Sequence, residues 1–428
     1  MSKFQLILLS IFGAFIVIGV IAFSMGSKSS SSSVASITVW GDVAGDNFYR
    51  AITATGGGNT GLPRIDYTYK PSDTFNADLT EAIATGVGPD LVIISVPNIE
   101  KNKNKIFQIP ETSFSQSSFR STFLQEGELL LATGGAYGLP LISDPMVLYW
   151  NRDIFNNAAL VAPPTYWDEI YTYADKLTQK DDAGNIKQST IALGETKNIP
   201  QAKNIINMLM LQAGTPITMF QGDRYHAILT NNLNFPTIPA AAALDFYTQF
   251  SNPTKKFYSW NSSMLSAQTA FTSGNTAMYL GFASELPVLR AKNPTLNLGV
   301  ALVPQSRIGG NDLTFGRLES VSILKSSKNI APAFVSALAI VSNANDLALA
   351  NTVLVPPARR DLLSILPTDP FQSIFYTAAI QSTGWLDPDE QKTDTIFTDM
   401  IDSVTSGRAQ TLEAISAANT ALDALIKP

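Results

Sequence analysis

The chain's 428 residues are enough for two domains of ordinary size, and 45% hydrophobic with 15% charged residues is typical of a globular protein with large cores. A net charge of −6 argues against nucleic acid as a partner, because proteins that bind it concentrate Lys and Arg on one face. With no cysteine and one histidine, the chain cannot build a disulfide framework, a zinc–thiolate site or a His-cluster metal site. We therefore expect no metal or cofactor, and we interpret His226 as a partly exposed structural residue.

The N-terminal segment from Phe4 to Ser27 contains no charged residue. At about 1.5 Å per residue, its twenty-odd apolar residues would reach about 30 Å as a helix, which is enough to cross a bilayer. A secretory signal has a shorter apolar region of about 7–15 residues, with a small-residue cleavage site close behind it. Here the candidate cleavage site, residues 33–35, lies well beyond the apolar run. We therefore predict an uncleaved transmembrane helix over residues 4–25 and a Ser-rich linker over 26–35.

This anchor predicts a location at the cell membrane, with the globular part outside the cytoplasm. The alternative is secretion after cleavage of the N-terminal segment as a signal.

Strand and helix patterns alternate in the first part of the globular region. Ile37–Trp40 is a short β-branched strand, and residues 65–70 (IDYTYK) alternate as a second strand. Residues 77–85 have helical spacing and end at Gly86, a residue favoured after a helix C-terminus. The apolar run 91–95 (LVIIS) is typical of a strand buried on both faces. Strand, helix and strand in this order predict parallel βαβ units and hence an α/β fold.

One acid interrupts an extended apolar run between Ala136 and Phe155 (AYGLPLISDPMVLYWNRDIF). This acid is Asp144, and a buried carboxylate needs a partner, a shifted pKa or a position facing a cleft. Asp144 is therefore a candidate site residue, and the alternative is that it pairs with a nearby arginine. Residues 162–170 (APPTYWDEI) then predict a capped helix, with Thr165 as the N-cap residue.

Later segments continue the alternation of helices and strands. We expect helices over residues 240–250, 330–342 and 406–426, a helix that ends near Gly274 and is followed by a strand, strands over 298–305 and 317–324, and a loop over 353–360.

These motifs, taken in order, resemble those of the extracytoplasmic solute-binding proteins of ABC importers, in particular the sugar-type, maltose-binding-protein-like group (family 1). Residues 136–170 resemble the family's YGLP…YYNKDLF…PPKTWDE region. Residues 270–284 resemble its F-x-x-G-x-x-A-M-x-x-G-x-W segment, and residues 353–360 resemble its L-P-x-R loop. The resemblance covers about residues 37 to 428.

The resemblance implies a two-lobed α/β fold of the periplasmic-binding-protein type II class, with a ligand cleft between the lobes. It implies a first chain crossing within residues 136–155, a second near 315–321 and a third near 355–359. Lobe 1 would then comprise residues 36–141 and 321–354, and lobe 2 would comprise residues 142–320 and 355–428.

Ligands of open α/β sheets bind beyond the carboxyl ends of strands, and a sugar site needs hydrogen-bonding side chains together with aromatic rings. Strand ends and the resemblance together give the predicted ligand-binding residues: Trp40, Asp42, Ser95, Asp144, Tyr149, Phe282, Arg317 and Trp385. For Trp40 the alternative is a core position, for Asp42 a helix cap and for Trp385 an exposed loop tip. Tyr149 and Trp150 alternate along a strand, so one of the two should face the core.

Two positions depart from the sugar-binding pattern. Phe282 stands where the family has a tryptophan, and Ile94-Ser95 stand where an aromatic residue is common, so the aromatic platform is thinner. The sequence nevertheless predicts a monomeric, membrane-tethered protein that captures a small solute, foremost a mono- or oligosaccharide, and delivers it to the permease subunits of an ABC transporter. The alternatives are an anchored glycosidase-like enzyme, which needs two carboxylates about 5–10 Å apart, and a ligand sensor without a transport role.

Overall fold

The computed structural model describes residues 36–57, 61–222, 224–307 and 312–426. The predicted membrane span over 4–25 and the linker over 26–35 lie outside the described residues. Within the described ranges, no single helix has both the length and the apolar composition to cross a membrane. Only two consecutive helices, Ile330–Ile340 and Asn343–Val353, pass that test together, and they are bent by 67° at their junction.

The strands, in chain order, are β1 (Ile37–Gly41), β2 (Ile65–Tyr69), β3 (Leu91–Ser95), β4 (Ile106–Phe107), β5 (Ile109–Pro110), β6 (Leu131–Ala132), β7 (Gly135–Ala136), β8 (Leu139–Asn151), β9 (Gln179–Lys180), β10 (Ile186–Ile191), β11 (Thr218–Gln221), β12 (Arg224–Ala227), β13 (Thr276–Phe282), β14 (Leu298–Ala301), β15 (Thr314–Leu324) and β16 (Ser382–Thr383).

The α-helices are α1 (Asp46–Ala54), α2 (Phe75–Ala84), α3 (Val96–Asn102), α4 (Gln116–Thr122), α5 (Arg152–Asn157), α6 (Ile170–Leu177), α7 (Ala202–Gln212), α8 (Pro239–Thr248), α9 (Ala267–Thr272), α10 (Leu286–Lys292), α11 (Ile330–Ile340), α12 (Asn343–Val353), α13 (Arg360–Leu363), α14 (Pro370–Ile380), α15 (Glu390–Thr405) and α16 (Thr411–Leu425). Short 3-10 helices cover Gln125–Leu130, Trp167–Glu169, Gln249–Ser251 and Ala283–Glu285.

One large sheet organises the molecule, with strand order β2-β1-β3-β15-β8-β13-β10-β9. β1 lies between β2 and β3 and is parallel to both, which confirms the predicted βαβ units and the α/β class. Gly86 follows α2 with a φ of +75°, a left-handed backbone that glycine adopts without steric cost, so the predicted helix end is also confirmed.

Two long antiparallel strands, β8 and β15, join the two parts of this sheet. β15 pairs on one side with β3 and on the other with β8, and β8 continues into pairs with β13 and β14. Every residue of β8 is buried except the half-buried Asp144 and Trp150, as expected for a strand covered on both faces. The segments in which the first two crossings are predicted, residues 136–155 and 315–321, overlap these strands, and the crossings themselves stay a prediction.

A β-bulge interrupts the pairing of β8 with β15. The partners change from Glu319–Ile142 to Ser320–Pro140, so that Leu141 is the additional residue in β8. The Leu141 carbonyl accepts a hydrogen bond from the Ala358 N–H at 2.9 Å, and the Ser143 N–H donates to the Pro356 carbonyl at 3.0 Å. The third predicted crossing thus lies directly beside the first.

The helix predicted after Pro164 begins differently from the expectation. Its first turn is the 3-10 helix Trp167–Glu169, and Thr165 is not its N-cap residue. Instead the Glu169 carboxylate accepts hydrogen bonds from the backbone N–H groups of Thr165 at 2.8 Å and Tyr166 at 3.2 Å. The cap prediction was wrong because the helix begins one residue later than expected, which puts Tyr166 and not Thr165 at the N-cap position.

Candidate functional site

A cavity of about 450 Å³ lies at the ends of β1 and β3 and over the central residues of β8 and β15. The starts of α3 and α15, one turn of α7 and the chain around Trp385 complete its walls. This is the position expected for a ligand in an open α/β sheet, beyond the carboxyl ends of the parallel strands.

Asp42 and Ser95 reach this cavity because both lie at the carboxyl ends of parallel strands. Ser95 is the last residue of β3, and Asp42 comes directly after β1. Burial, and to a smaller degree the negative charge of Glu390, raise the pKa of the Asp42 carboxyl to about 6. The Asp42 carboxyl therefore takes up a proton at slightly acidic pH and is mostly ionised at pH 7, where it can accept a cation.

Asp144 and Arg317 form an ion pair on the cavity wall. They face each other across β8 and β15, with 2.7 Å between Arg317 Nη2 and Asp144 Oδ2. Asp144 also accepts hydrogen bonds from the Ser284 N–H at 2.9 Å and the Ser284 hydroxyl at 2.7 Å. The Arg317 guanidinium carbon lies 3.7 Å from the centroid of the Phe282 ring, close enough for a cation–π contact.

Glu126 lies at the bottom of the cavity and is 3% exposed. Its Oε2 accepts hydrogen bonds from the hydroxyls of Ser382 at 2.7 Å and Ser143 at 3.1 Å. Burial raises its pKa to about 7 although both hydrogen bonds oppose that shift. A Cβ at Gly316 would lie 2.5 Å from this oxygen, so only glycine leaves room for the carboxyl.

Glu319 extends from β15 at the pair with Ser95 and lines the same cavity. Its Oε2 is buried and has no hydrogen-bond partner in the structure. Burial, and secondarily the negative charge of Asp42, raise the pKa of Glu319 well above its ordinary value.

The segment around Trp385 closes one side of the cavity. The Trp385 side chain is buried against Phe397 and lines the cavity. The buried Lys203 of α7 contacts Asp387 at 2.7 Å and also donates to the Thr393 hydroxyl at 2.7 Å. These contacts connect the segment around Trp385 to α7.

The structure brings five of the eight predicted site residues to the cavity: Asp42, Ser95, Asp144, Arg317 and Trp385. The other three lie elsewhere. Trp40 packs partly buried against the core, with Lys70 Nζ 4.3 Å from its ring centroid. Tyr149 is fully buried, and its hydroxyl donates to the Phe282 carbonyl at 2.8 Å, so it is the core-facing member of the alternating Tyr149–Trp150 pair. Phe282 is also fully buried, and the Arg317 guanidinium lies over its ring.

Four further cavity residues were missed from the sequence: Glu126, Lys203, Asp387 and Glu390. Glu126 comes from a 3-10 helix, Lys203 and Glu390 from the starts of α7 and α15, and Asp387 from a loop, and no motif marked any of them. Glu319 was missed as well, although it lies two residues after Arg317 in a predicted strand, and period-two alternation would have placed both on one face. His226 bonds to Asp423 at 3.2 Å and is one-third exposed, consistent with the structural role expected of it.

The chemistry of this site is recognition by hydrogen bonds and charge. Its walls offer carboxylates, a guanidinium, hydroxyls and one tryptophan ring to a small polar ligand. Across the described ranges, no three or more His, Cys, Asp or Glu side chains are grouped so that they could hold a metal ion.

The sequence model of the bacterial extracellular solute-binding protein family matches residues 47–339, which is more than half of the chain. The chain belongs to this family. Its members are binding proteins rather than enzymes. A protein of Brucella abortus (strain 2308) named as a binding protein is 25% identical over 275 residues, and a Brucella suis biovar 1 protein of similar name matches equally well. The match covers 62% of this chain and 61% of the length of each relative.

Solved structures show the same fold for this family member. A cyclo/maltodextrin-binding protein complexed with maltotetraose superposes with a TM-score of 0.74 at 17% identity, covering 92% of this chain and 98% of that one. A solute-binding protein of an ABC transporter from Thermotoga lettingae TMO, bound with alpha-D-tagatose, has a TM-score of 0.66 at 21% identity, covering 91% and 99%. A third, with mannotriose bound, has a TM-score of 0.66 at 21% identity, covering 91% and 100%. The expected two-lobed α/β solute-binding fold is thereby confirmed.

Proposed function

We propose that this solute-binding protein captures a carbohydrate in the cavity between its lobes and delivers it to the permease subunits of an ABC transporter. In this proposal the chain acts as a monomer outside the cytoplasm, held at the membrane by residues 4–25 through the linker 26–35. Lobe 1 comprises residues 36–141 and 321–354, and lobe 2 comprises 142–320 and 355–428. The ligand shifts the open–closed equilibrium towards the closed state because it binds that state more tightly.

The observation that carries the proposal is the cavity at the crossing of β8 and β15. Its size of about 450 Å³ suits a small solute, and its walls carry hydrogen-bonding groups together with the Trp385 ring. A sugar presents hydroxyl groups that such carboxylates and hydroxyls bind, and apolar C–H faces that an indole ring covers. The ligands named with the three similar structures, maltotetraose, alpha-D-tagatose and mannotriose, favour this ligand class.

A thermal-shift screen of mono- and oligosaccharides, followed by calorimetric titration of the hits, tests the ligand class. A ligand that binds only the folded state at one hundred times its Kd stabilises that state by about 2.7 kcal/mol, which shifts Tm measurably. Absence of any shift with millimolar sugars would refute the carbohydrate proposal. Turnover of a chromogenic glycoside that is lost in Asp144→Asn would instead favour the glycosidase alternative.

Fractionation tests the anchor separately. The full chain expressed in a bacterial host should sediment with membranes and resist extraction by carbonate. A chain beginning at residue 36 should be released in soluble form. Recovery of the protein in the culture medium, shortened at its N-terminus, would show signal cleavage instead.

A further inference from the structure

The charges that line the cavity do not balance. The lining contains six carboxylates and, among its described residues, the two cations Arg317 and Lys203. Each cation is already paired with a carboxylate of the lining, Arg317 with Asp144 and Lys203 with Asp387, both at 2.7 Å. The remaining carboxylates are those of Asp42, Glu126, Glu319 and Glu390.

Of these four, Glu126 has its own partners in two serine hydroxyls. Glu319 has none, because its Oε2 is buried and makes no hydrogen bond. A buried charged oxygen without a partner is costly, so a binding cavity that keeps one is arranged for a group that arrives with the ligand. An incoming N–H donor, above all a charged one, supplies the missing partner.

Asp42 and Glu390 act on the same region of the cavity. The negative charge of Glu390 raises the pKa of Asp42, and the charges of Asp42 and Glu390 both raise that of Glu319, after burial as the main cause. The three carboxyls therefore interact electrostatically across one part of the cavity. Among the described residues, they are not grouped closely enough to hold a metal ion together.

We propose that the ligand is a carbohydrate bearing a protonated amino group, and that this ammonium binds in the part of the cavity lined by Asp42, Glu319 and Glu390. The carbohydrate portion rests on the proposed function, whereas the ammonium portion rests on the charges described here. The Arg317–Asp144 pair, Ser284 and Trp385 are left to contact the neutral part of the same ligand.

The proposed ammonium site predicts that ligand binding releases protons. The groups that face Glu319 and Asp42 are Glu390, Asp144, Arg317 and Tyr67; all but Arg317 disfavour the ionised carboxyls or are neutral. In the empty cavity the Asp42 carboxyl, whose pKa is about 6, carries a proton in about half of the molecules at pH 6. An ammonium takes over the role of a proton as counter-charge, so binding of an amino sugar should release protons to the buffer.

Calorimetric titration with matched sugars at pH 6, where Asp42 is half protonated, tests the proposal on the full chain. The probes are glucosamine and a fully deacetylated β-1,4-linked glucosamine trimer, with glucose and the corresponding glucose trimer as neutral counterparts. We expect the amino sugars to bind about tenfold or more tightly than their counterparts, the range of a charge-assisted hydrogen bond. Repeating each titration in buffers of different ionisation enthalpy should show proton release for the amino sugars alone.

Two variants locate the ammonium site. Glu319→Gln and, independently, Asp42→Asn should each reduce both the preference for the amino sugar and the proton release, with far-UV circular dichroism unchanged. Glu81→Gln is the matched control, because it makes the same chemical change on the exposed face of α2. It should keep the wild-type preference.

The possible outcomes separate the two proposals. Neutral sugars that bind as tightly as amino sugars would overturn the ammonium site and leave the carbohydrate proposal intact. Binding of putrescine without binding of any sugar would overturn the carbohydrate part. An amino-sugar preference that survives both cavity substitutions would overturn the assignment to Asp42 and Glu319.

Discussion

Arg317 lies directly opposite Asp144 across the β8–β15 ladder, and its guanidinium is held between that carboxylate and the Phe282 ring. One contact is 2.7 Å long and the other 3.7 Å. Since Asp144 keeps two further hydrogen bonds from Ser284, the arginine is positioned by the carboxylate more than the carboxylate is by the arginine. The Arg317 side chain is 42% exposed, so its free edge faces the cavity.

Arg317→Ala should therefore weaken ligand binding more than it destabilises the fold. A half-exposed ion pair with a cation–π contact contributes about 1 kcal/mol to the free energy of unfolding. The loss of a charged donor to a ligand hydroxyl should raise Kd about tenfold. Urea unfolding and calorimetric titration measure the two effects. Arg317→Lys keeps the charge without the planar group, so its Kd should lie between those of the wild type and Arg317→Ala. Wild-type affinity in Arg317→Ala would contradict the placement of Arg317 beside the ligand.

Trp385 should report ligand binding by its fluorescence. Of the chain's five tryptophans it is the one that lines the cavity. A ligand that covers the indole should change its emission, and Trp385→Phe should remove most of that change. Trp260→Phe is the control, since Trp260 is fully buried and bonds to Asn198. A signal retained in Trp385→Phe would place the ligand elsewhere.

Glu126 should make the stability of the fold depend on pH. Its folded-state pKa of about 7 exceeds the ordinary value of 4.5, so its contribution is fully present below pH 4.5 and is lost as the pH rises through about 7. The full effect is on the order of 3 kcal/mol. Glu126→Gln should flatten the dependence of the unfolding free energy between pH 5 and 8.

The control for this titration lies in the same 3-10 helix. Glu128 is 40% exposed and pairs with Arg120, so Glu128→Gln should keep the wild-type pH profile. An unchanged profile in Glu126→Gln would show that other carboxyls cause the dependence. Urea denaturation followed at several pH values supplies the measurement.

Gly316→Ala should destabilise the protein through Glu126. The added Cβ would lie 2.5 Å from Glu126 Oε2 and 2.8 Å from its carboxyl carbon, and such overpacking costs about 1–3 kcal/mol. Gly384→Ala is milder, because its Cβ would lie 3.3 Å from the Leu129 side chain and 3.7 Å from Glu126. Thermal unfolding of both variants compares them; equal Tm values would contradict the packing argument.

Lys203→Met should be among the most damaging single substitutions. It leaves the buried Asp387 without its cation, and removal of one member of a buried pair costs about 3–5 kcal/mol. Lys203→Met combined with Asp387→Leu should cost less than Lys203→Met alone. Lys392→Met is the control, since Lys392 is 65% exposed and lies 3.7 Å from Asp389. A Lys203→Met variant as stable as the wild type would show that Asp387 does not need Lys203 as its partner.

Much of the fold follows from local patterns in the sequence. The runs at β1 and β3 predict buried parallel strands, and their ends place Asp42 and Ser95 at one edge of the sheet. Asp144 was identified because a single acid in an apolar strand needs an explanation, and Arg317 is the partner that the alternative reading anticipated. Strand periodicity and strand order decide the positions of Asp42, Ser95 and Asp144, whereas Arg317 was named from the family resemblance; their contact with a ligand stays a prediction.

Other features depend on the packing of distant segments. Alternation requires that Tyr149 or Trp150 face the core, but β8 is buried on both faces, so the pattern does not choose between them. Lys203 and Asp387 meet over a separation of 184 residues, and no local pattern predicts that contact. The position of Phe282 beneath Arg317, rather than against the ligand, likewise arises only when β13 and β15 are packed beside β8.

The bulge at Leu141 bears on how this chain can vary in length. Because two residues of β8 oppose one of β15 at the bulge, removal of Leu141 would leave the pairs Glu319–Ile142 and Ser320–Pro140 in register and on their present faces. The same deletion would remove the carbonyl that receives the Ala358 N–H, and with it the attachment of the neighbouring crossing. Leu141 therefore serves the contact with Ala358 and not the register of the sheet, so that one residue fewer there should loosen residues 355–359 while both halves of the sheet keep their pairing.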